Sequence, residues 1–566
     1  MEKRWIYNAI PPLEKITALG KVLNINPYLA TILLQRGIHD FESGKKFFRP
    51  TLDQLHDPFL MKDMASAVNR LKAAIDRNEK ILIYGDYDVD GTTAVSLVHS
   101  YLKSFYSSCD FYIPDRSAEG YGVSEAGIKW AEENGFTLII ALDLGIKSGD
   151  MVKLAAIKGI DFIICDHHLP GGEIPNAVAV LDPKQDDCAY PYTELSGCGL
   201  GFKLLQGFSR KYRDENEIFQ YLDLVAVSIA SDIVPIRGEN RILTYFGLQK
   251  LNQNPRPGLK ALKEIAAIKN DLDVSGVVFT LGPRINAAGR VAHARAAVEL
   301  LNSKTEEEAN DLAEKVNIKN DLRREYDLSI TEEAIAMIES DETLRTAKST
   351  VLFKNTWHKG VIGIVAARCV EKYHRPTVIL TESNDKITGS ARSIKDFDLY
   401  EAIHACSDLL EKFGGHKYAA GLTMDRSNLS AFQKKFETVV SSSLTEEMRT
   451  PVVEVDLVIP LDAINGKFNN ILKQMAPFGP ENPKPVFEAR NLYVVNSLSN
   501  FKDRHVRFLV GQVNSESVFE AVGFDMAEYY SQLAHGDQFK MAFTVDENTY
   551  NGMTSMQLRA KEIKFE

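Results

Sequence analysis

Short apolar runs alternate with helix-like stretches between residues 81 and 181, and this alternation restricts the possible folds more than any other feature. The apolar runs are Ile81–Tyr84, Leu138–Leu142, Phe162–Cys165 and Ala177–Leu181. Between them lie the helix-like stretches 92–105, 124–134 and 149–157. Short apolar runs separated by helices are typical of βαβ units. The pattern therefore predicts an α/β fold with a doubly wound parallel sheet.

Acidic and imidazole side chains follow three of these runs, at the point where each predicted strand ends. The first run leads into Tyr84-Gly-Asp-Tyr-Asp-Val-Asp-Gly91, the second into Asp143, and the third into Asp166-His167-His168. Ligands of open α/β sheets bind beyond the carboxyl ends of the strands. The sequence therefore predicts that these side chains meet at one edge of the sheet.

Such a cluster of carboxylates needs cations, because like charges in a cleft repel one another unless positive charge compensates them. Carboxylate oxygens with one or two imidazoles suit Mn²⁺ or Mg²⁺ better than thiolate-bound zinc or copper. Two such ions would activate a water and stabilise the leaving oxygen in phosphoryl hydrolysis. Asp232 ends a further apolar run and is either a ligand or a capping group. His167 and His168 are adjacent, so in an extended segment their side chains would point to opposite sides.

Each of these elements also has an ordinary explanation when taken alone. A D-x-D-x-D-G sequence occurs in turns and calcium loops. Asp143 could cap a helix, and a His-His pair is often structural. Their joint placement at strand ends favours a metal site.

The rest of the sequence predicts further domains. Residues 1–60 read as a helical extension in which Asn26 caps a helix and Pro27 takes its first position. The stretch 304–340 is polar and predicts a helix that bridges two domains through solvent. A second α/β unit follows, with strands 350–353, 377–380 and 387–391 and helices 361–372 and 399–413.

After Pro451 the apolar residues alternate with period two, which indicates strands. About five strands with one helix at 464–475 predict a small β-barrel of the OB-fold type. The predicted strands cover 486–495, 505–513, 517–524, 539–545 and 556–563. The predicted domains are 1–60, 61–302, a linker helix 303–345, 346–445 and 450–566.

Composition indicates the cellular compartment of the protein and the kinds of ligand that it can bind. The six cysteines are scattered without a C-x-x-C pair, which favours a reducing compartment and argues against a zinc-thiolate site. No apolar signal-peptide core or membrane-length apolar run is present, so we expect a cytoplasmic protein without membrane association. The net charge of −11 disfavours a broadly basic nucleic-acid surface but leaves room for a local basic groove.

The acidic segments resemble the motifs of the DHH phosphoesterases, and the chain as a whole resembles the RecJ family of bacterial single-strand-specific 5′→3′ exonucleases. The resemblance includes Gly282-Pro-Arg-Ile-Asn-Ala-Ala-Gly-Arg290 and Trp357-His-Lys-Gly-Val-Ile-Gly-Ile364. It also includes Gly414-Gly-His-Lys-Tyr-Ala-Ala-Gly421, which resembles the glycine-rich signature of the DHHA1 domain. The resemblance implies a DHH domain, a DHHA1 domain and a C-terminal OB-fold.

The resemblance also implies a centre of two Mn²⁺ or Mg²⁺ ions. Its implied ligands are Asp86, Asp88, Asp90, Asp143, His167 and Asp232. His168 would face the scissile phosphate. Many DHH phosphoesterases have a histidine where this chain has Tyr84, so Asp86 or water would complete the first ion here.

Candidate substrate ligands lie outside the acidic segments. They are Arg116, Arg284, Arg290, Ser390, Arg392, Gly414, Gly415 and His416. By resemblance, four of them would recognise the 5′ end or neighbouring phosphates: Arg116, Arg290, Ser390 and Arg392. Tyr121 would stack on a base or anchor a turn. Arg323 and Arg324 on the linker helix would line a groove or remain solvated.

Two other functions stay open at this point. One is a small-substrate DHH phosphoesterase for nanoRNA, pyrophosphate or a cyclic dinucleotide, and the barrel and the long linker argue against it. The other is a catalytically silent nucleic-acid-binding scaffold, which the presence of every expected acid disfavours. The resemblance implies single-stranded DNA as substrate and a role in DNA repair and recombination. It also implies a single-strand-binding protein and a RecQ-type helicase as partners of a monomeric enzyme.

Overall fold

The computed structural model describes residues 3–116, 118–550 and 552–565. Its strands are β1 (Arg4–Tyr7), β2 (Lys80–Gly85), β3 (Cys109–Tyr112), β4 (Phe136–Leu142), β5 (Asp161–Cys165), β6 (Ala179–Leu181), β7 (Thr350–Phe353), β8 (Thr377–Ser383), β9 (Lys386–Arg392), β10 (Lys412–His416), β11 (Ala419–Met424), β12 (Val452–Val455), β13 (Leu457–Val458), β14 (Phe487–Phe501), β15 (His505–Gln512), β16 (Val518–Gly523), β17 (Phe539–Tyr550) and β18 (Met553–Phe565).

The helices are α1 (Leu13–Leu23), α2 (Pro27–Gln35), α3 (Phe41–Phe48), α4 (Met64–Asp76), α5 (Val89–Lys103), α6 (Glu125–Glu133), α7 (Gly149–Ile157), α8 (Gly197–Tyr212), α9 (Leu222–Ser231), α10 (Gly238–Gln253), α11 (Pro257–Ile265), α12 (Val274–Gly276), α13 (Gly282–Val291), α14 (Arg295–Asn302), α15 (Glu306–Ser340), α16 (Glu342–Thr346), α17 (Ile362–Tyr373), α18 (Leu399–His404), α19 (Leu429–Ser443), α20 (Glu446–Arg449), α21 (Gly466–Gln474) and α22 (Tyr530–His535). A π-helical turn, Val277–Leu281, joins α12 to α13. None of the helices among these described residues combines the length and hydropathy needed to cross a membrane.

The first sheet is the predicted parallel sheet, with strand order β3-β2-β4-β5-β6. Alternate residues of β2 pack into two different cores: Ile81 and Ile83 on one face, Leu82 and Tyr84 on the other. Because both faces are covered, the strands read as nearly continuous apolar runs. The edge strand β3 was not predicted, since its alternation of buried and half-buried residues spans only four positions.

The C-terminal sheet is a closed barrel, which confirms the predicted OB-fold. Its order is β14-β15-β16-β18-β17, and a further pairing of β14 with β17 closes the ring. Phe487 of β14 lies opposite Phe543 of β17, and both side chains are fully buried. Period-two alternation predicts such strands correctly because one face of each fills the barrel and the other faces outward.

The barrel belongs to the same compact unit as the first sheet, a unit that comprises Tyr7–Asn317 and Glu454–Glu566. A loop of the barrel domain, residues 475–483, contacts the chain just after α9: Pro480 accepts a hydrogen bond of 2.8 Å from the Ile236 amide. The buried Arg241 donates to the carbonyl oxygens of Met475 and Phe47, each at 3.0 Å. One guanidinium thus holds the N-terminal helices, the first domain and the barrel domain together.

The second compact unit contains Ile318–Val453, and its sheet has the order β10-β11-β9-β8-β7. The predicted helix 399–413 is wrong in its second half, because α18 ends at His404 and β10 begins at Lys412. Lys412 and Phe413 pair instead with Thr423 and Leu422 of β11. Gly415 belongs to the same strand pair: its φ is +146°, and an added Cβ would lie 2.3 Å from the Ala419 carbonyl oxygen, so only glycine permits this close approach of the two strands.

The sequence predicts that the helix at 304–340 is surrounded by solvent. In the structure, α15 instead has buried residues along its length. Its first half buries Ala309, Ala313 and Val316 in the core of the first sheet's unit. Its second half contributes Ile330, Ala334 and Ile338 to a separate core around Trp357. The buried stripe consists of small and widely spaced side chains, which is why the helix reads as polar throughout. At the N-terminal end of the chain, Asn26 caps α2 as predicted.

Candidate metal centre

The junction between β2 and α5 places the first carboxylates. Asp86 follows β2, and Asp88 caps α5 by accepting a hydrogen bond of 3.0 Å from the Gly91 amide. An added Cβ on Gly91 would lie 2.4 Å from the Asp86 carbonyl oxygen, so only glycine permits this tight turn. The alternating acids are therefore directed by a strand-to-helix turn rather than by a calcium loop.

Asp90 is held in place by the start of α8 and by α9. Its two carboxylate oxygens accept hydrogen bonds from the amides of Gly197 and Cys198, at 2.6 and 2.8 Å. The Ser228 hydroxyl donates a third bond of 2.6 Å. These supporting groups were not predicted from the sequence. A helix start was visible in Ser196-Gly-Cys-Gly199, where Ser196 is the N-cap, but nothing in the sequence connected it to Asp90.

Asp143 ends β4 in a left-handed backbone conformation, with φ of +62°. Its amide donates to the Cys165 carbonyl oxygen at 2.9 Å, which continues the pairing with β5. An added Cβ on Gly197 would lie 2.5 Å from the Asp143 Cβ, so the start of α8 packs directly against this residue. Non-glycine residues rarely adopt this conformation, and they do so mainly where the surrounding structure enforces it at functional sites.

His167 connects the carboxylates that come from different elements. Its Nε2 lies 3.1 Å from Asp143 Oδ1, 3.6 Å from Asp232 Oδ2 and 3.8 Å from Asp90 Oδ2. Asp232 follows α9 directly, as the residue after its last turn. Side chains that follow β2, β4, β5 and α9 therefore converge on one point.

The prediction that His167 and His168 point to opposite sides is wrong. Their ring centroids are 4.7 Å apart, and both rings lie at the cluster. The chain leaves the extended conformation after β5 because Asp166 Oδ1 accepts hydrogen bonds from the amides of both histidines, at 2.8 and 3.2 Å. This turn places the two rings side by side.

Asp166 also holds the His168 ring, since its Oδ1 lies 2.7 Å from His168 Nδ1. Burial opposes ionisation of Asp166, but the bonds from His168 and from the Ile146 amide outweigh it and lower the pKa of this carboxyl. Burial likewise opposes protonation of His168, and Asp166 outweighs it, so the pKa of His168 is raised. Asp166 is therefore an ionised group that orients His168, a role that was not predicted from the sequence.

The cluster has the chemistry of a cation site. Its ligand atoms form three overlapping groups, each within 4.8 Å: Asp143, His167 and His168; Asp90, His167 and Asp232; Asp86, Asp88 and Asp143. Burial, followed by the neighbouring carboxylates, raises the pKa of Asp86, Asp143 and Asp232 well above the ordinary range. Bound cations would remove this penalty.

Two buried atoms of the cluster lack a hydrogen-bond partner among the residues that the structure describes. They are Asp86 Oδ1 and His167 Nδ1. A buried carboxylate oxygen without a donor is costly unless a cation meets it. The ligand set is rich in oxygen and contains imidazole but no thiolate, so the residues fit Mn²⁺ or Mg²⁺.

Tyr84 does not replace the histidine that many DHH phosphoesterases have at this position. It is buried on the other face of the sheet, where its ring stacks on Tyr112 with centroids 5.1 Å apart. Its hydroxyl lies 3.2 Å from the Ser124 hydroxyl and accepts a bond of 3.1 Å from the Ser124 amide. Burial raises the pKa of Tyr84 to about 12. The tyrosine therefore packs the core and leaves Asp86 to serve the cluster.

The candidate substrate ligands of this unit differ in their surroundings. Arg116 lies over the Tyr87 ring at 4.9 Å, and its positive charge opposes the rise in the pKa of Asp86. Arg290 is in the last turn of α13, where Gly289 packs against the Tyr87 carbonyl oxygen. Arg284 instead donates to the Thr280 carbonyl oxygen at 2.8 Å and to Asn317 at 3.1 Å, contacts that hold helices together.

Tyr121 and the two linker-helix arginines also have defined surroundings. The Tyr121 hydroxyl lies 3.4 Å from His168 and from the Asp143 carbonyl oxygen, and the ring is largely exposed. Arg323 contacts Asn320 and Asp327 of its own helix, and Arg324 is exposed. Tyr121 therefore borders the cluster itself.

The remaining candidates lie in the second compact unit. Ser390 and Arg392 are on β9, and the Ser390 hydroxyl accepts a bond of 3.0 Å from Arg392. Gly363 of α17 packs against both side chains, since an added Cβ would lie within 2.9 Å of each. Gly414, Gly415 and His416 are on the exposed strand β10, which β11 separates from β9.

Family models match three parts of the chain. They are the DHH family, N-terminal domain, over residues 80–229, the DHHA1 domain over 346–442 and the RecJ OB domain over 455–562. These matches agree with the predicted DHH, DHHA1 and OB-fold domains.

Whole proteins and a solved structure are similar over nearly the full chain. The single-stranded-DNA-specific exonuclease RecJ of Bacillus subtilis is 37% identical over 98% of this chain and 70% of its own length. The protein of the same name in Salmonella typhimurium is 31% identical, over 95% and 96% of the two chains. The crystal structure of RecJ in complex with Mn²⁺ from Thermus thermophilus superposes with a TM-score of 0.84 at 25% identity, covering 99% of this chain and 79% of that one. The chain therefore belongs to the RecJ family.

Proposed function

We propose that this protein is a metal-dependent exonuclease that hydrolyses single-stranded DNA from the 5′ end. The observation that carries the proposal is the convergence of five carboxylates and His167 from four separate elements on one point. The relatives support the substrate, because the curated proteins it resembles are named single-stranded-DNA-specific exonucleases. Mn²⁺ or Mg²⁺ is the proposed cofactor, in line with the Mn²⁺ complex of the Thermus protein.

The proposed metal ligands are Asp86, Asp88, Asp90, Asp143, His167 and Asp232. When bound, two divalent ions supply Lewis acidity and a water of lowered pKa for phosphodiester hydrolysis. Asp90 is oriented before any ion arrives, because two amides and the Ser228 hydroxyl fix its carboxylate. Such preorganisation reduces the reorganisation that metal binding and catalysis require.

His168 is the proposed contact to the scissile phosphate. Asp166 occupies its Nδ1, which leaves Nε2 to donate a hydrogen bond to a phosphate oxygen. A charge-assisted bond of this kind strengthens as negative charge develops on the phosphate. The other proposed contacts to DNA phosphates are Arg116, Arg284, Arg290, Ser390, Arg392, Gly414, Gly415 and His416. Arg116 and Arg290 have the strongest support, since both lie beside the Asp86–Asp88 turn.

The cellular setting is part of the proposal. A single-strand-specific nuclease of this family would act in DNA repair and recombination in the cytoplasm, as a monomer. It would work with a single-strand-binding protein and a RecQ-type helicase, because a helicase supplies the unpaired strand that the nuclease consumes.

The test is digestion of single-stranded oligonucleotides labelled at the 5′ or the 3′ end, with Mn²⁺, beside a blunt duplex and the Asp143→Ala variant. Release of the 5′ label as mononucleotide, abolished in the variant and absent on duplex, is the expected result. Release of the 3′ label first would overturn the polarity. Hydrolysis of pyrophosphate or dinucleotides alone would replace the proposal by a small-substrate phosphoesterase, and binding without cleavage would replace it by a scaffold.

A further inference from the structure

A second polar cavity lies at the carboxyl end of α5, the helix whose amino end carries Asp88 and Asp90. Its volume is about 490 Å³, and its walls come from the ends of α5, α10 and α14 and from the start of α11. Since α5 has 15 residues, its ends are roughly 22 Å apart. The cavity is therefore separate from the metal centre.

The lining of this cavity is cationic and contains no carboxylate among the described residues. Four positively charged side chains line it: Lys103, Lys250, Arg256 and Lys304. This is unexpected in a chain with a net charge of −11. Lysines near helix C-termini ordinarily compensate the helix dipole, and carboxylates usually accompany them at the surface.

Two of the four cations already have local partners. Lys103 donates to the carbonyl oxygens of Ser107 and Cys109, at 2.8 and 3.0 Å. Arg256 forms a buried ion pair of 2.8 Å with Asp223. In the described structure, neither the Lys250 nor the Lys304 ammonium group is paired with a carboxylate, so both are available to a ligand.

Hydrogen bonds hold the uncharged polar side chains of the lining in place. The Asn302 amide donates to His99 Nδ1 at 3.1 Å, and its oxygen accepts a bond of 2.6 Å from Ser100. Burial, followed by Lys103, lowers the pKa of His99 to about 4; Asp110 opposes this shift, and Arg295 and Lys304 add to it. His99 is therefore neutral near pH 7 and adds no charge to the lining.

We propose that this cavity binds a small phosphate-bearing ligand of nucleotide size, with the phosphate held by Lys250 and Lys304. A lysine ammonium group that has no carboxylate partner can form an ion pair with a phosphate, in which it acts as a point charge. A volume of about 490 Å³ exceeds the needs of a bare phosphate and is within the range of small-ligand sites. The amides of Gln220, Asn254 and Asn302 offer donors and acceptors for the remainder of the ligand.

The test is calorimetric titration of the full chain with deoxyadenosine monophosphate, inorganic phosphate and deoxyadenosine, in chelator so that no metal ion contributes. Saturable binding of the monophosphate, with deoxyadenosine at least tenfold weaker, is the expected result. The Lys250→Gln/Lys304→Gln double variant should raise the Kd at least tenfold. Lys153→Gln, on exposed α7, should leave it unchanged.

The outcomes separate the alternatives. Binding of inorganic phosphate as tight as that of the nucleotide would identify free phosphate as the ligand of the same two lysines. Absence of saturable binding, equal binding of deoxyadenosine, or a double variant that binds like the wild type would overturn the proposal. Thermal unfolding of each variant checks the fold, and if the double variant is unstable, Lys304→Gln alone decides, because Lys304 is exposed.

Discussion

The two ends of α5 carry opposite charge. At its amino end, Asp88 and Asp90 join other carboxylates in a buried cluster that needs cations. At its carboxyl end, Lys103, Lys250 and Lys304 line a cavity without a carboxylate among the described residues. The helix dipole favours this polarity, since its amino end is positive and its carboxyl end negative. The dipole is equivalent to only about half a unit charge at each helix end, which is small beside the several carboxylates or lysines that lie there.

The difference between these ends lies in how each cluster is built. The acidic end uses residues that follow buried strands or the buried helix α9, and hydrogen bonds from backbone amides fix Asp88 and Asp90. The cationic end uses long side chains from several helix ends, and two of its lysines have no carboxylate partner in the described structure. We therefore expect substitutions at the acidic end to have large effects and substitutions at the cationic end to leave metal chemistry unchanged.

The largest expected effect is that of Asp143→Asn on hydrolysis. Replacing a residue that contacts a metal ligand costs 10- to 100-fold, so replacing a proposed ligand itself should lower the rate by more than about a hundredfold. Initial rates on a 5′-labelled single strand measure the change. Asp150→Asn, the same substitution on exposed α7, should retain the wild-type rate; a nearly active Asp143→Asn would contradict the proposed ligand set.

Saturation with Mn²⁺ should stabilise the protein, because the ion binds a carboxylate cluster that exists only in the folded state. At a free concentration of one hundred times Kd the gain is about 2.7 kcal/mol in the free energy of unfolding. Urea denaturation with and without Mn²⁺ measures it. The gain should largely disappear in Asp143→Asn. An equal gain in that variant would place the binding elsewhere.

Asp166→Asn should lower kcat by about 10- to 100-fold, because His168 loses the carboxylate that orients it. KM for the DNA should change much less, because the His168 bond strengthens as charge develops on the phosphate and therefore acts mainly on the transition state. Separate determination of kcat and KM checks this. A change confined to KM would contradict the positioning role.

Tyr84→Phe should leave Mn²⁺ affinity unchanged, because the Tyr84 hydroxyl contacts Ser124 on the opposite face of the sheet. Loss of these hydrogen bonds should cost about 1 kcal/mol of stability. Calorimetric titration with Mn²⁺ and urea denaturation measure the two effects. A tenfold weaker Mn²⁺ affinity would show that the hydroxyl reaches the metal centre after all.

The smallest expected effect is that of Lys250→Gln on Mn²⁺ affinity, below about 0.5 kcal/mol, as for a surface substitution remote from the site. The same Mn²⁺ titration provides the measurement. A larger change would show that the two ends of α5 are coupled and do not act as separate sites.

The acidic cluster was predictable because strand ends of a parallel sheet share an edge, so Asp86, Asp143 and His167 could be placed together without a structure. Its supporting groups were not, since Gly197 and Ser228 lie more than a hundred residues from Asp90 in sequence. The orientation of His168 was also missed, because it depends on a local turn at Asp166. The roles assigned to individual residues and the domain boundaries remain predictions.

The fold was readable wherever hydrophobic periodicity was strong. The barrel strands and the parallel sheet followed from periods and run lengths, whereas Lys412 and Phe413, the start of β10, were read as the end of a helix. Their pairing with β11 is a tertiary contact that local periodicity does not reveal. The cationic cavity could not be predicted at all. Its members come from helix ends up to two hundred residues apart, and an unpaired lysine in a sequence is indistinguishable from a solvated one.

The contact of Arg241 with the barrel domain limits how this protein can be divided. A fragment that ends after residue 317 would keep Arg241 but lose the Met475 carbonyl oxygen, and Ile236 would lose its acceptor on Pro480. Each buried donor left without an acceptor costs about 1–3 kcal/mol. Ile236 lies four residues after Asp232, so the loss would fall beside a proposed metal ligand. Chimaeras made from two proteins of this family should therefore take the loop 475–483 and the segment just after α9, which it contacts, from the same parent.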